Sequence, residues 1–352
     1  MKLNATAKII FFFVALFALA LLVFHYAGIE RITINRTQET KFFPLNVVEI
    51  VAEDCRICQR HNVFLSLLNK SNIKIYFQEV SYKSERGKQL IELLNITELP
   101  AVIIEENELD DNMYIYRSGK AYPLRWILDN YALHRETFYI VYPKEFDRSA
   151  SVSLLIDENA LQDCDANTLR IDIFADPFAE STIRSAALLL GLQKKFGKNY
   201  FDYYFVAATD SNVPVEMRRT AASFWHCAAE QYKLPEFQLF FYAVLCDALD
   251  KNYDEFKQIL KSCQAKRFST NDLYAITNTL DLNNQQFFDC LYEKGKFFSK
   301  SKKKAELFHI KFFPMAVINC KYKMPIAAID RAICSIASLP PCRAAKENKS
   351  NV

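Results

Sequence analysis

The sequence of 352 residues predicts an α/β protein with two successive strand–helix units after an N-terminal membrane-spanning helix. Three observations lead to this prediction. A run of β-branched residues enters a helical pattern with two cysteines, Cys55 and Cys58, at the junction. A proline directly precedes an apolar strand at two places, Pro100 and Pro314. Within the second unit, residues from about 213 to 309 have helical periodicity.

The N-terminal segment Ile9 to Ile29 contains 21 residues, and His25 is its ionisable member. At about 1.5 Å per residue, a helix of this length just spans a hydrocarbon core of about 30 Å. Lys2 and Lys8 precede it, which predicts a single-pass anchor within 1–30, with the N-terminus in the cytoplasm and the bulk of the chain outside. The alternative is a cleaved signal peptide followed by secretion.

Both alternatives export the rest of the chain, which suits a sequence with 10 cysteines, because exported proteins tolerate disulfides. The net charge of +3 is too small to indicate a nucleic-acid partner. Residues 31–45 are predicted to tether the first domain to the membrane. The polar residues 343–352 are predicted to form a disordered tail.

The pair Cys55 and Cys58 forms a C-x-x-C motif after the first predicted strand. The pattern predicts a helix from Ile57 onward, with both cysteines in its first turn. Unpaired N–H groups there would lower the pKa of Cys55 below about 8.5, and Arg56 would add a cation. Cys55 is then the nucleophile and Cys58 the resolving thiol. The motif is also compatible with half of a zinc site, for which His61 is the nearby candidate, or with an inert structural pair.

A second strand is predicted at 74–80, a helix at 84–94, a strand after Pro100, a strand at 113–117 and a helix at 124–133. With the C-x-x-C, this order resembles the thioredoxin fold, which would cover 46–135. The resemblance implies that Pro100 is cis and faces the C-x-x-C, and that the backbone of Leu99 pairs with a substrate chain. The Trp-Cys-Gly-Pro-Cys of thioredoxin is absent, so its redox potential does not carry over.

A connector at 136–168 contains two short predicted strands, and a similar unit then spans 169–342. Its strand, helix, strand, helical insert at about 213–309 and proline-led strand at Pro314 resemble the bacterial periplasmic disulfide oxidoreductases of the DsbA family. The resemblance implies a second thioredoxin fold with a cis Pro314. Where that family has its C-x-x-C, this chain has Ala179-Glu-Ser-Thr182. We therefore interpret the unit as a redox-dead copy, the alternative being an unrelated α/β domain.

The insert is predicted to hold helices at 215–232, 237–249, 253–263, 271–280 and 284–292. The remaining cysteines outside the connector are candidates for structural disulfides, and the four in the insert are enough for two bridges. These candidates are Cys227, Cys246, Cys263, Cys290, Cys320, Cys334 and Cys342.

Together these features predict tandem thioredoxin-like domains that act as a membrane-anchored, extracytoplasmic thiol–disulfide oxidoreductase through Cys55 and Cys58. Leu99, Pro100 and Arg56 are expected to position the substrate. The expected partners are exported proteins with cysteines and a membrane or soluble redox partner that resets the site. No metal or cofactor is required by this chemistry. The alternative is a redox-inactive scaffold, with a binding or chaperone-like role at the membrane surface.

Overall fold

The structure is a computed structural model. It describes residues 42–58, 62–117, 119–142, 152–157, 169–208, 211–263, 268–311, 313–337, 339 and 342. Among the helices of these residues, none combines the length and apolar character needed to cross a bilayer. The predicted anchor at 9–29, residues 31–41 of the predicted tether, His61 and the tail from 343 lie outside the described residues.

The strands form two main sheets and one hairpin. In chain order they are β1 (Phe43–Val51), β2 (Ile73–Ser81), β3 (Glu98–Leu99), β4 (Ala101–Glu105), β5 (Tyr114–Arg117), β6 (Lys120–Pro123), β7 (Leu133–Arg135), β8 (Phe138–Val141), β9 (Ser153–Leu155), β10 (Ile171–Ala175), β11 (Phe201–Phe205), β12 (Met315–Ile318) and β13 (Tyr322–Pro325).

The α-helices cover the faces of the sheets and build the insert of the second unit. In chain order they are α1 (Val63–Leu68), α2 (Glu85–Leu94), α3 (Leu124–Tyr131), α4 (Glu180–Phe196), α5 (Val215–Glu230), α6 (Leu234–Leu245), α7 (Tyr253–Ser262), α8 (Thr270–Thr279), α9 (Asn284–Tyr292), α10 (Lys294–Leu307) and α11 (Ile329–Ile336).

The first sheet has the order β2-β1-β4-β8-β7, and β4 runs antiparallel to both β1 and β8. The N–H of Tyr82, after β2, donates to the C=O of Val51 at 3.1 Å, so the carboxyl ends of β1 and β2 lie side by side. β1 is an inner strand between β2 and β4, and its β-branched side chains are buried on both faces, including Val47 and Ile50. Each such side chain contributes about 1.5–3 kcal/mol through burial.

Two features of the first sheet differ from the sequence-based expectation. The strand predicted at 113–117 forms, as β5, but it pairs with β6 in a separate hairpin that turns at Gly119, where φ is +77°. The fourth place in the sheet is taken by β8. Pairing of β5 with β6 is favoured over pairing within the first sheet, because a two-residue connection closes the hairpin at little cost in chain entropy. The first sheet thus extends from Phe43 to Val141, beyond the predicted range of 46–135.

The second sheet has the order β11-β10-β12-β13-β9-β3. β10 and β11 are parallel and are joined by α4, whereas β12 is antiparallel to both β10 and β13. This is a strand–helix–strand unit followed by an antiparallel hairpin and a closing helix, α11. The strand order and orientation define a thioredoxin-like fold, and helices α5–α10 lie between β11 and β12 as the predicted helical insert.

The insert packs around Trp225, which is fully buried. Its ring lies 5.1 Å from that of Tyr203 on β11 and 5.5 Å from that of Phe241 on α6, so the insert shares one core with the second sheet. The four cysteines of the insert form two bridges, Cys227–Cys290 and Cys246–Cys263, as expected. A third bridge joins Cys334 on α11 to Cys342, and Cys320 is also disulfide-bonded.

His226 on α5 provides a test of how the insert responds to acid. Its ring stacks on Phe297 at 4.2 Å, and burial lowers its pKa below 6.5. Below pH 6.5, His226 therefore binds more protons in the unfolded chain than in the folded chain, so its contribution to stability falls as the pH falls. We expect a slope of up to about 1.4 kcal/mol per pH unit from this residue between pH 6.5 and the lowered pKa. Chemical unfolding from pH 7 to 5 measures it, and His226→Gln should flatten the slope.

Candidate redox site

Cys55 and Cys58 lie at the carboxyl end of β1, where the chain turns away from the sheet. They form a disulfide with 5.3 Å between their Cα atoms. The N–H of Cys55 donates to the C=O of Ala52 at 3.1 Å, which closes a tight turn. The N–H of Cys58 points at Sγ of Cys55 from 3.2 Å. After reduction, that N–H would stabilise a thiolate on Cys55.

The predicted position of the helix after the motif is wrong. α1 begins at Val63, so Cys55 and Cys58 precede it rather than forming its first turn. The helix starts late because its N-cap, Asn62, is anchored to the sheet. Its N–H donates to Oε1 of Glu49 at 2.5 Å, its Nδ2 donates to the C=O of Val141 at 2.7 Å, and its Oδ1 accepts from the N–H of Phe64.

Glu49 is a site residue that the sequence reasoning missed. Glu49 is fully buried, and its Oε1 accepts from the N–H of Asn62, which holds the start of α1. The signal was present, because Glu49 interrupts a run of β-branched residues at a position whose strand neighbours Val47 and Val51 both face the interior. A carboxylate at an inward-facing position is costly unless it is hydrogen-bonded, so its role is to fix the local structure.

The Cys55–Cys58 bridge differs from the others in its exposure. Both of its residues are partly exposed. In each of the other three bridges whose two cysteines are described, at least one cysteine is buried, as Cys227 is in its bridge with Cys290. Thiol–disulfide exchange needs direct access of one sulfur to another, and the Cys55–Cys58 bridge offers it.

The surface beside the disulfide carries opposed charges. Asp54 accepts from the Tyr82 hydroxyl at 3.1 Å and pairs with Lys83 at 2.8 Å. The hydrogen bond from Lys83 lowers the pKa of Asp54, so this carboxylate is ionised at neutral pH. Lys83 offsets its charge, and the exposed Arg56 adds a cation inside the motif. Among the described residues, no cluster of three His, Cys, Asp or Glu side chains is placed to hold a metal ion.

Leu99 and Pro100 lie at the same end of the first sheet as the cysteines. Antiparallel pairing sets Ile50 opposite Ala101, so the residues before β4 approach those after β1. The Leu99–Pro100 peptide bond is cis, as expected from the resemblance. Leu99 is fully buried, and both Cys55 and Cys58 pack against the apolar cluster that contains it.

The second unit is fastened to this site by a buried ion pair. Nζ of Lys323 on β13 lies 2.9 Å from Oε2 of Glu98 on β3, and the side chains are 1% and 2% exposed. Lys323 also donates to the C=O groups of Phe308 and His309, at 3.0 and 3.2 Å. In addition, Ile57 within the motif packs against the large core of the second unit. The two predicted domains therefore share an interface at the disulfide.

In the second unit, the loop that leads into the position of the motif, residues 179–182, is held by buried polar and aromatic contacts. Asp176, fully buried, accepts from the N–H groups of Phe178 and Ala208 and pairs with Arg218 at 2.7 Å. The Phe178 ring meets that of Phe241 at 5.2 Å. No cysteine lies in this loop or in the first turn of α4. The Phe313–Pro314 bond is cis, as expected.

Several solved structures are similar to part of this chain. No protein-family model and no curated protein matches the sequence. Among solved structures, a thioredoxin-like oxidoreductase from Silicibacter pomeroyi is 14% identical, with 50% of this chain and 97% of that one covered and a TM-score of 0.32. Oxidised BdbD from Bacillus subtilis is 14% identical, with 48% and 85% covered and a TM-score of 0.31.

DsbA from Klebsiella pneumoniae is 11% identical, with 44% of this chain and 74% of that one covered and a TM-score of 0.30. The fold is defined by the strand order. A parallel strand–helix–strand unit, a helical insert and a cis-proline before the antiparallel hairpin define a thioredoxin-like fold of the DsbA kind.

Proposed function

We propose that the protein is a thiol–disulfide oxidoreductase that works through Cys55 and Cys58. One observation carries the proposal: this bridge is partly exposed at both cysteines and lies at the carboxyl end of the inner strand β1, whereas the other fully described bridges each bury a cysteine. A bridge that is formed and broken in each cycle must be reachable, but a structural bridge need not be.

When the protein acts as an oxidant, a substrate thiolate attacks Sγ of Cys55. The Cys55–Cys58 bond breaks, its electron pair stays on Cys58 as a thiolate, and Cys55 is joined to the substrate in a mixed disulfide. A second substrate thiolate then attacks the substrate sulfur of the mixed disulfide. The substrate leaves as a disulfide, and the two protons of its thiols end on Cys55 and Cys58. The reverse sequence reduces a substrate disulfide.

The remaining parts of the proposal follow from the sequence. We propose tandem thioredoxin-like units behind an N-terminal membrane anchor at 9–29, with the site outside the cytoplasm. The substrates are then cysteines of exported proteins, and a membrane or soluble redox partner resets the disulfide. Arg56 beside the sulfurs would favour substrates with acidic residues near the cysteine. The second unit, which lacks cysteines at its own site, serves as a platform that positions the first.

The proposal is tested by comparing single-cysteine variants of the motif. In Cys58→Ser the attacking thiol remains, whereas in Cys55→Ser the resolving thiol remains. Because the Cys58 N–H donates to Cys55, we expect Cys55 to be alkylated by iodoacetamide at pH 7 at least about tenfold faster than Cys58. Cys58→Ser should also accumulate a mixed disulfide with oxidised glutathione, which intact-mass measurement detects.

Equal slow alkylation of the two variants, with no mixed disulfide in either, would contradict the proposal. The Cys55–Cys58 bridge would then be static, and the redox-inactive scaffold would take the place of the enzyme. The variant Cys334→Ser/Cys342→Ser serves as a control, because it removes a bridge outside the site and should leave the alkylation of the motif unchanged.

A further inference from the structure

The strand next to the disulfide is already paired within the chain. β3 is joined by β9, with Leu99 opposite Leu154 and Glu98 opposite Leu155. The N–H of Ile156 donates to the C=O of Thr97 at 3.0 Å. Hydrogen-bonded pairs alternate along an antiparallel ladder, so the hydrogen-bonded pair after Thr97 and Ile156 is Leu99 and Leu154. The polar backbone groups of Leu99 therefore point at β9.

β9 is held in this place from its other side as well. The N–H of Leu155 donates to the C=O of Lys321 at 2.8 Å, and Leu154 lies opposite Tyr322 on β13. The residues of β9 are all buried. The Glu98–Lys323 ion pair spans the strand, because Glu98 is opposite Leu155 and Lys323 is opposite Ser153. β9 is thus an inner strand of the second sheet rather than a loose cover.

An extended polypeptide binds beside a strand by adding its own backbone hydrogen bonds to a free edge. At this site, β9 already pairs with the residues that run up to Pro100, next to the cluster on which Cys55 and Cys58 pack. Strand addition here would require β9 to leave both β3 and β13. The cost would include the exposure of Leu154 and Leu155, whose side chains are almost fully buried.

We propose that β9 is a specificity determinant of the proposed redox site: Leu154 occupies the backbone position beside Leu99, so the disulfide reacts with thiols that need no strand pairing. A low-molecular-weight thiol is the simplest such substrate, and an extended polypeptide gains no advantage from its backbone. This inference rests on the proposed function and narrows its substrates. A cysteine of an exported protein then reaches Cys55 through its side chain, without backbone pairing.

The chemistry is ordinary exchange. Two molecules of a monothiol deliver two electrons: the first forms a mixed disulfide with Cys55 and releases Cys58 as a thiolate, and the second releases Cys55 and leaves as the symmetric disulfide. Both protons of the monothiols are retained by the protein thiols. No other reactant is required.

The test compares two thiols of similar pKa with the oxidised full-length protein. One is N-acetylcysteine methylamide, and the other is a nine-residue peptide with a central cysteine flanked by alternating valine and threonine. Acid quenching, alkylation and mass measurement give the rate of opening of Cys55–Cys58. We expect rate constants within about threefold of each other, whereas strand addition through two or more hydrogen bonds would favour the peptide by about tenfold or more.

Ile156→Pro removes the N–H that reaches Thr97 and loosens β9, so it should raise the peptide rate relative to the small thiol by about threefold or more. Ile156→Ala keeps that N–H and should leave the ratio unchanged. If the proline variant does not fold, the ratio of the peptide and small-thiol rate constants measured with the wild type still tests the inference. A peptide that reacts over tenfold faster with the wild type would overturn the inference while upholding exchange, whereas no reaction with either thiol would reject the proposed function itself.

Discussion

Replacement of Lys323 by methionine is expected to lower the free energy of unfolding by about 3–5 kcal/mol. Lys323 and Glu98 are both almost fully buried, and their charged atoms lie 2.9 Å apart. Methionine fills much of the same space but leaves the Glu98 carboxylate in a low-dielectric interior without its main cation. The carbonyl oxygens of Phe308 and His309 also lose a donor. Guanidinium unfolding with all disulfides intact measures the change.

A matched control is available two residues away. Lys321 is exposed in the turn directly before β13, so Lys321→Met should change stability by no more than about 0.5 kcal/mol. The double variant Glu98→Gln/Lys323→Met removes both charges and should recover part of the loss, because no buried charge remains. If Lys323→Met were as stable as Lys321→Met, the ion pair would not hold the two units together.

The second large effect is expected at Asp176. Asp176→Ala should lower the free energy of unfolding by about 3–5 kcal/mol, since the buried guanidinium of Arg218 loses its counterion. The N–H groups of Phe178 and Ala208 lose their acceptor as well. The same unfolding measurement applies. The rate at which thiols open the Cys55–Cys58 disulfide should stay unchanged, because Asp176 stabilises the loop before α4 in the second unit and does not belong to the redox site.

The exposed pair of Glu216 and Arg219 on α5 is the control for Asp176 and Arg218. It has a similar length, 3.1 Å, but both side chains are more than half exposed. Glu216→Ala should therefore cost no more than about 1 kcal/mol. A loss of thiol exchange in Asp176→Ala at full stability would mean that the second unit takes part in the chemistry, which would contradict its role as a platform.

Much of this molecule could be predicted from local sequence. The apolar run before Cys55, the helical pattern at 84–94 and the periodicity of the insert depend on neighbouring residues, and the corresponding strand and helices form. Both proline-led strands form with cis bonds at Pro100 and Pro314. The four cysteines of the insert pair with each other, because the helices that carry them are packed in one core.

The features that could not be predicted depend on contacts between distant residues. β3 has two residues, and it is a strand because β9, more than 50 residues later, pairs with it. Pairing of this kind leaves no periodicity in either segment. The late start of α1 depends on Glu49 and Val141, which hold Asn62 from other parts of the sheet. Glu98 and Lys323 likewise look like surface residues in the sequence, and their burial follows from the meeting of the two units.

The central claim is that Cys55–Cys58 is a reversible redox pair, and an equilibrium redox titration of the native full-length protein tests it most directly. The protein is equilibrated in dithiothreitol and glutathione buffers, trapped by alkylation and analysed by peptide mass. We expect this pair alone among the described bridges to titrate, as a two-electron couple with about 30 mV per tenfold change in its ratio. A pair that stays oxidised until denaturant is added, or that never reoxidises after reduction, would contradict the claim.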